Sequence, residues 1–175
     1  MLIDPEQLEL HTYPAPILKQ KAEPFVLPLP ENVEAIGKKM LTIMYEYNGI
    51  GLAGPQAGLG KRIIVFDLSD SHDQPNILIN PEIESCSKVK VDSEEGCLSF
   101  PEIHGVVTRH STVTVNGLNI KGEVVKFEAS ELMAAMFQHE IDHLDGITFV
   151  DRLGTTSKMR IRGQLQDLEE DYSAS

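Results

Sequence analysis

Apolar side chains return every three or four positions in three stretches of this chain, which is the spacing of one face of an α-helix. The first stretch runs from residue 32 to residue 47. The second lies between Ser130, which can cap a helix start, and Gly146, which favours a helix end. The third, residues 155–171, begins at two threonines, either of which can cap it, and ends in an acidic run. The pattern therefore predicts an N-terminal, a central and a C-terminal helix.

Shorter apolar or alternating stretches predict β-strands. They cover residues 62–68, 77–79, 89–94, 105–115 and 124–127. Because the strands follow one another and the central helix follows them, we predict an α+β fold in which mostly antiparallel sheets pack around the central helix. The first 30 residues hold six of the ten prolines and are predicted to form an extended arm. The length of 175 residues predicts one domain, residues 1–175.

The charge and the cysteine content narrow the class of protein. The formal net charge of −12 opposes a broad nucleic-acid-binding surface, which needs a basic patch. The first residues lack the features of a secretory signal, and no apolar run is long enough to span a bilayer. We therefore expect a cytoplasmic protein without membrane contact. The two cysteines are too few for a disulfide framework and are expected to be free thiols.

The central predicted helix contains the sequence Gln-His-Glu-Ile-Asp-His at residues 138–143. His139 and His143 are four positions apart, so they lie one turn apart on the same side of a helix, where both can bind one metal ion. Glu140 directly follows the first histidine, where metal-dependent hydrolases keep a carboxylate that acts on metal-bound water. The alternative is a helix whose histidines are only half-buried and hydrogen-bonded.

Two histidines need a further ligand to form a metal site. In one class of zinc protease a third histidine follows the second by six positions, but Phe149 stands there. Another class takes a glutamate from a following helix, but Gly163 and Gln164 occupy the usual distance. The best remaining candidate is Cys97, whose thiolate would complete a three-ligand site with one position left for water.

Two other classes of protein stay open at this point. A structural metal site needs a fourth protein ligand, which Cys86 or His104 can supply, and the chain would then be a non-catalytic module. The other alternative is a different metal hydrolase, such as a peptidase.

Three stretches of the chain, in order, resemble the peptide deformylase family. They are Gly-Ile-Gly-Leu-Ala-Gly-Pro-Gln at residues 49–56, Glu-Gly-Cys-Leu-Ser at 95–99 and Gln-His-Glu-Ile-Asp-His-Leu-Asp-Gly at 138–146. The resemblance extends over about residues 10–162. One departure is Gly54, where the family usually has an alanine. Glycine there is expected to make the loop more flexible without changing the chemistry.

The resemblance implies a metal-dependent hydrolase that removes the formyl group from the N-terminal formylmethionine of newly synthesised polypeptides and releases formate. It implies one divalent metal ion per chain. The implied ligands are Cys97, His139 and His143. Glu140 would act as general acid and base. The side-chain amide of Gln56 and the backbone N–H of Leu98 would stabilise the oxyanion.

The resemblance also assigns residues around this centre. We expect a substrate path and a methionine pocket formed by Gly49, Ile50, Gly51, Leu132, Ala135 and Met136. The two glycines are expected to leave room for the substrate to lie along the loop as an added strand. Glu95 and Asp142 are expected to support the ligands, one by orienting a histidine ring and one by pairing with Arg109.

The metal and the partners are also expectations from the resemblance. It implies Fe(II) as the physiological metal, with zinc, nickel or cobalt as alternative occupants, since a Cys-His-His donor set does not choose among them. The expected partners are nascent formyl-Met polypeptides. The C-terminal helix begins basic and turns acidic, which predicts only transient ribosome contact and no direct nucleic-acid function. The protein is expected to be a monomer.

Overall fold

The computed structural model describes residues 2–175 and contains, over that range, three α-helices and seven β-strands. The helices are α1 (Val33–Glu46), α2 (Glu131–Leu144) and α3 (Thr155–Ala174). The strands are β1 (Gly51–Ala53), β2 (Ile63–Phe66), β3 (Asn76–Cys86), β4 (Lys90–Cys97), β5 (Phe100–His110), β6 (Thr112–Leu118) and β7 (Val124–Ser130). Short 3₁₀ helices lie at Pro5–Gln7, Pro16–Lys19, Gly54–Ala57 and Phe149–Arg152.

The strands form two separate antiparallel sheets. A five-stranded sheet has the order β1-β2-β3-β6-β7, and a two-stranded sheet pairs β4 with β5. The predicted α+β fold with antiparallel sheets around a central helix is confirmed. None of the helices within residues 2–175 combines the length and the apolar character needed to cross a membrane.

Helices cover both faces of the five-stranded sheet. Ile63 and Val65 of β2 point to one face and pack with α1, whereas Ile64 and Phe66 point to the other and pack with α2. This double burial explains why β2 reads as a continuous apolar run instead of an alternating one. Every residue of α2 from Ala134 to Leu144 is buried, because the helix lies between this sheet and the β4–β5 hairpin.

The stretch 105–115 was predicted as one strand, and that prediction is wrong. The chain bends at Ser111, so that β5 ends at His110 in the small sheet and β6 begins at Thr112 in the large one. Buried side chains keep the same alternation on both sides of the bend, as in Val107 and Val113. Since the period of two is uninterrupted, the sequence pattern carries no sign of the change of sheet.

Other observed element boundaries and helix caps also differ from the predicted ones. Strand β3 continues to Cys86, beyond the predicted range 77–79. The prediction was too short because the second half of the strand is exposed and mostly polar and therefore gives no apolar pattern. Ser130 stands at the start of α2, but its side chain makes no capping hydrogen bond. The N-cap residue of α3 is Gly154, and the helix itself begins at Thr155, so neither threonine caps it. These capping predictions are wrong.

The N-terminal arm wraps over the domain and fastens three segments of it, and it contains two short 3₁₀ helices where we predicted an extended chain. The backbone N–H of His11 donates to the carbonyl of Gln56 at 2.7 Å, and that of Tyr13 donates to the carbonyl of Ser99 at 2.8 Å. The N–H of Ala22 donates to the last carbonyl of α2 at 2.8 Å. The arm therefore ties the 54–57 loop, the β4–β5 turn and α2 together.

Gly54 is enclosed instead of flexible. A Cβ built on Gly54 would lie 2.3 Å from the carbonyl oxygen of Lys61 and 2.8 Å from that of Leu59. The space that the missing methyl leaves is therefore filled by backbone, and an alanine would require residues 59–61 to move away.

We predict that Gly54→Ala lowers the free energy of unfolding by about 1–3 kcal/mol, the usual cost of overpacking a filled interior. Urea unfolding would show a lower midpoint. Gly60→Ala is the matched control, because a Cβ there meets nothing within 4 Å. Equal stability of the Gly54→Ala variant and the unaltered protein would contradict the prediction.

Candidate metal centre

One cysteine and two histidines from two separate elements meet beside α2. His139 and His143 lie one turn apart on α2, with ring centroids 5.0 Å apart, and Cys97 is the last residue of β4. The potential ligand atoms of the three residues all lie within 4.8 Å of one another. The Sγ of Cys97 is 3.3 Å from Nε2 of His143. The structure thus brings together the three residues that were predicted as metal ligands.

The donor set fits a catalytic metal ion. One thiolate and two imidazoles supply three ligands, and a catalytic zinc-like site keeps its remaining position for water or substrate. Neither Cys86 nor His104 belongs to the cluster found within residues 2–175. Cys86 is exposed near the end of β3, and His104 is exposed on β5. A closed four-ligand structural site is therefore not formed by the two residues considered for it.

Buried carboxylates and an arginine hold the ring of His139. Nδ1 of His139 lies 2.8 Å from Oε1 of Glu95, so its Nε2 is left for the metal. Arg109 donates two hydrogen bonds of 2.8 Å to the two oxygens of Glu95 and a third, of 2.7 Å, to Asp142. Glu95 therefore both orients a histidine and pairs with Arg109. Asp142 pairs with Arg109 and also accepts two hydrogen bonds from Arg152.

Glu140 is buried beside the two histidines but is not a member of the ligand cluster. Burial raises the pKa of Glu140 to about 7, although the nearby His139 acts in the opposite direction. Its Oε2 has no hydrogen-bond partner among residues 2–175, and the residue lines the adjoining cleft. A carboxylate with a free oxygen and a pKa near neutrality suits proton transfer at neutral pH.

The pKa values of the two histidines are shifted in opposite directions. Burial alone lowers the pKa of His139, but hydrogen bonds with Cys97 and Glu95 outweigh it and raise that pKa well above its usual value. Burial lowers the pKa of His143 well below its usual value, and the neighbouring His139 adds to the effect. His143 therefore stays neutral, the form in which an imidazole binds a metal.

Gln56 is fixed in the same centre by three hydrogen bonds. Its Oε1 accepts from the backbone N–H of Ala53 at 2.9 Å, and its Nε2 lies 3.3 Å from both Sγ of Cys97 and Oγ of Ser99. Ser99 in turn donates to the carbonyl of His11 at 2.7 Å. These bonds point the donating end of the amide toward Cys97 and the neighbouring metal site.

A cleft of about 600 Å³ opens in front of the centre, and it includes Leu98, Gln56 and Glu140. The predicted substrate residues all line it: Gly49, Ile50, Gly51, Leu132, Ala135 and Met136. Ala135 and Met136 form its buried wall, whereas Ile50 and Leu132 are exposed at the rim. The structure therefore brings the predicted pocket residues to one cavity beside the metal centre.

Gly49 and Gly51 lie directly against side chains of the centre. A Cβ on Gly51 would lie 2.8 Å from Oε1 of Glu140, and one on Gly49 would lie 2.7 Å from Cδ1 of Leu98. Both glycines line the cleft, and a side chain at either position would collide with Leu98 or Glu140. Glycine at 51 allows Glu140 to lie against the backbone of β1.

The family model of the polypeptide deformylases matches residues 7–159 of the chain. The chain belongs to the polypeptide deformylase family. A peptide deformylase of Natranaerobius thermophilus is 47% identical over 144 residues, which are 82% of this chain and 90% of that protein. A peptide deformylase of Nitrosococcus oceani is 41% identical over 155 residues, 89% of this chain and 92% of that protein.

Solved structures of the family have the same fold. A plant peptide deformylase superposes with a TM-score of 0.91 at 35% identity and covers 99% of this chain and 95% of its own. The peptide deformylase of Plasmodium falciparum gives a TM-score of 0.89 at 37% identity, with 95% and 98% covered. The predicted family and activity are confirmed: the chain is a deformylase-family hydrolase that removes an N-terminal formyl group.

Three residues near this deformylase centre were missed by sequence reasoning. Arg152 binds Asp142. Phe149, noted only because it is not a histidine, stacks on the ring of His139 with centroids 6.0 Å apart and planes inclined by 23°. Ser99 lies inside a recognised motif but was given no role. Only Ser99 carried a local signal, since the contacts of the other two depend on how the chain folds back after α2.

Proposed function

We propose that the chain hydrolyses the N-formyl bond of formylmethionine at the Cys97–His139–His143 centre, with Glu140 as the proton carrier. The observation that supports this most is the free, buried Oε2 of Glu140 at a cleft that Cys97 and His139 also line, next to the cluster of three potential ligand atoms. In the reaction a water oxygen bonds to the formyl carbon, the carbon–nitrogen bond breaks, and formate and a free amine are released.

Cys97, His139 and His143 would hold a divalent ion, which when bound supplies a Lewis acid that activates water and polarises the formyl oxygen. Fe(II) is our proposal for the physiological ion, by analogy with the family, because the donor set alone does not select it. Glu140 takes the proton from the attacking water and delivers it to the leaving amine. The Nε2 of Gln56 and the N–H of Leu98 donate to the developing oxyanion.

The substrate backbone is proposed to lie along β1. This strand is an edge of the five-stranded sheet, paired only with β2, and Gly51 at its start lines the cleft. An extended peptide can therefore add its own hydrogen bonds to the open edge. The methionine side chain would pack against the apolar wall that Ala135 and Met136 form.

We propose that the natural substrates are nascent formyl-Met polypeptides and that the protein acts in the cytoplasm. Free thiols at Cys86 and Cys97 agree with a reducing compartment. The ligand cluster and the cleft are built from one chain, so we propose that the monomer is the working unit.

The first prediction for the mechanism concerns Glu140→Gln. We expect kcat to fall by about 10²–10⁴ because the amide cannot carry the proton, while one equivalent of Co(II) still binds. Formate release from a formyl-Met tripeptide and Co(II) titration measure the two effects. The acetyl-Met and unblocked tripeptides are the substrate controls. Cleavage of their peptide bonds would instead identify a peptidase.

The second concerns Gln56→Leu, which removes the side-chain donor but keeps a similar volume. We expect kcat to fall by about 10²–10³ with a much smaller change in KM, since the interaction is strongest in the transition state. Steady-state kinetics with the same tripeptide separate the two constants. A rise in KM at unchanged kcat would show that Gln56 only positions the substrate.

A third prediction concerns the ribosome. Lys158, Arg160 and Arg162 are exposed at the start of α3, but an acidic end follows them and the chain carries a net charge of −12. We expect weak contact that is lost as salt increases, because few phosphates can be neutralised. Cosedimentation with ribosomes over a salt series measures this. Tight binding at physiological salt would refute the charge argument.

A further inference from the structure

A chain of ion pairs leads from the metal centre to the protein surface and ends at Arg152. We propose that Arg152 is a positioning residue, which holds His139 in its metal-binding orientation through this chain. The inference rests on the proposed metal-binding role of His139. Arg152 lies ten residues after Asp142 and is not part of the cleft or of the ligand cluster.

Each step of the chain is a short, geometrically specific contact. Arg152 donates from Nε and Nη2 to the two oxygens of Asp142, at 2.5 and 2.7 Å. The Oδ2 of Asp142 also accepts from Arg109, which in turn grips both oxygens of Glu95. Glu95 then meets Nδ1 of His139 at 2.8 Å. Two fork-shaped arginine–carboxylate pairs are therefore linked in series, and such pairs fix direction as well as charge.

Among the carboxylates and arginines of this chain, the charges balance only when Arg152 is included. Glu95 and Asp142 contribute two negative charges, and Arg109 alone supplies one positive charge to oppose them. All three are buried, with Arg109 only 3% exposed, so an unbalanced charge there is poorly solvated. Without Arg152, Asp142 would draw Arg109 toward itself. The hydrogen bonds from Arg109 that orient Glu95 toward His139 would then be weakened.

The segment that carries Arg152 is itself fixed against the metal centre. Arg152 ends the 3₁₀ helix Phe149–Arg152, whose first residue stacks on the ring of His139. Thr148 precedes this helix and is bonded through its N–H and its hydroxyl to Asp151. The segment therefore contacts His139 directly by stacking and is linked to it indirectly through the ion pairs.

Arg152→Met tests the proposal, since it removes the guanidinium and keeps an unbranched side chain. In metal-free protein titrated with Co(II) and followed by visible absorption, we expect about tenfold weaker binding, the lower end of the usual loss when a residue behind a ligand is removed. Arg152→Lys should lose less, because it restores the charge but not the fork. Substrate KM should not change, because Arg152 does not line the cleft.

Arg62→Met is the matched control. Arg62 also binds the end of α2, donating to Asp145 at 2.8 Å and to the carbonyl of Leu144 at 3.2 Å, but it has no connection to His139. We expect its Co(II) affinity to be unchanged. Equal losses in Arg62→Met and Arg152→Met would show that both act through the general stability of α2, and the proposal would fall.

A double-mutant cycle with Asp142→Asn tests whether Arg152 affects His139 through Asp142. If Arg152 acts through Asp142, replacing Arg152 in the Asp142→Asn background should cause no further loss of affinity. A full additional loss would overturn the proposal. Thermal unfolding of the metal-free variants checks that they are folded, and Arg152→Lys serves in the cycle if Arg152→Met does not fold.

Failure of this inference is separable from failure of the proposed function. If the unaltered protein binds one Co(II) with a thiolate absorption band and Arg152→Met binds it as tightly, only the role of Arg152 is wrong. If the unaltered protein gives no thiolate band, the metal centre itself is wrong.

Discussion

Helix α2 carries His139, Glu140, Asp142 and His143 into the interior, and the surrounding structure compensates for their burial. Moving a charged or strongly polar group out of water costs several kcal/mol unless it gains partners. Here the partners come from elsewhere in the chain: Glu95 and Arg109 from the β4–β5 hairpin, and Arg152 from the segment after α2. Among residues 2–175, Oε2 of Glu140 and Nδ1 of His143 find no hydrogen-bond partner, and Glu140 is the residue for which a partner would hinder the proposed chemistry.

The position of Gln56, the proposed oxyanion donor, depends on the N-terminal arm. Gln56 and Ser99 lie in different loops, and the arm binds the backbone of both through His11 and Tyr13. The Ser99 hydroxyl completes the connection by donating to the carbonyl of His11. Tyr13 also hydrogen-bonds Glu169 of α3, so the N-terminal arm contacts the C-terminal helix. Rigid donors of this kind need no reorganisation when charge develops on the substrate.

The sequence was most informative where the relevant contacts are local. His139 and His143 could be paired because helical spacing alone puts them on one side, and the three helices follow from periodicity. Cys97 needed the resemblance as well, since nothing local shows that β4 ends against α2. The bend at Ser111 and the ion pair of Arg152 could not be predicted from the sequence, because each depends on contacts with a distant segment of the chain. The glycines at 49 and 51 were correctly placed at the cleft. Which side chains a Cβ at these positions would meet depends on the folded structure and could not be predicted from the sequence.

The division of the proposed ligands between two elements would link metal binding to folding. The β4–β5 hairpin is a separate two-stranded sheet, whereas α2 packs on the five-stranded sheet through Phe137 and its neighbours. An ion held by Cys97 on one side and by His139 and His143 on the other would join these two parts directly. A ligand that binds only the folded state adds its binding free energy to stability. The ion pair between Arg109 and Asp142 spans the same boundary and needs no metal, so it can keep the hairpin against α2 before an ion arrives.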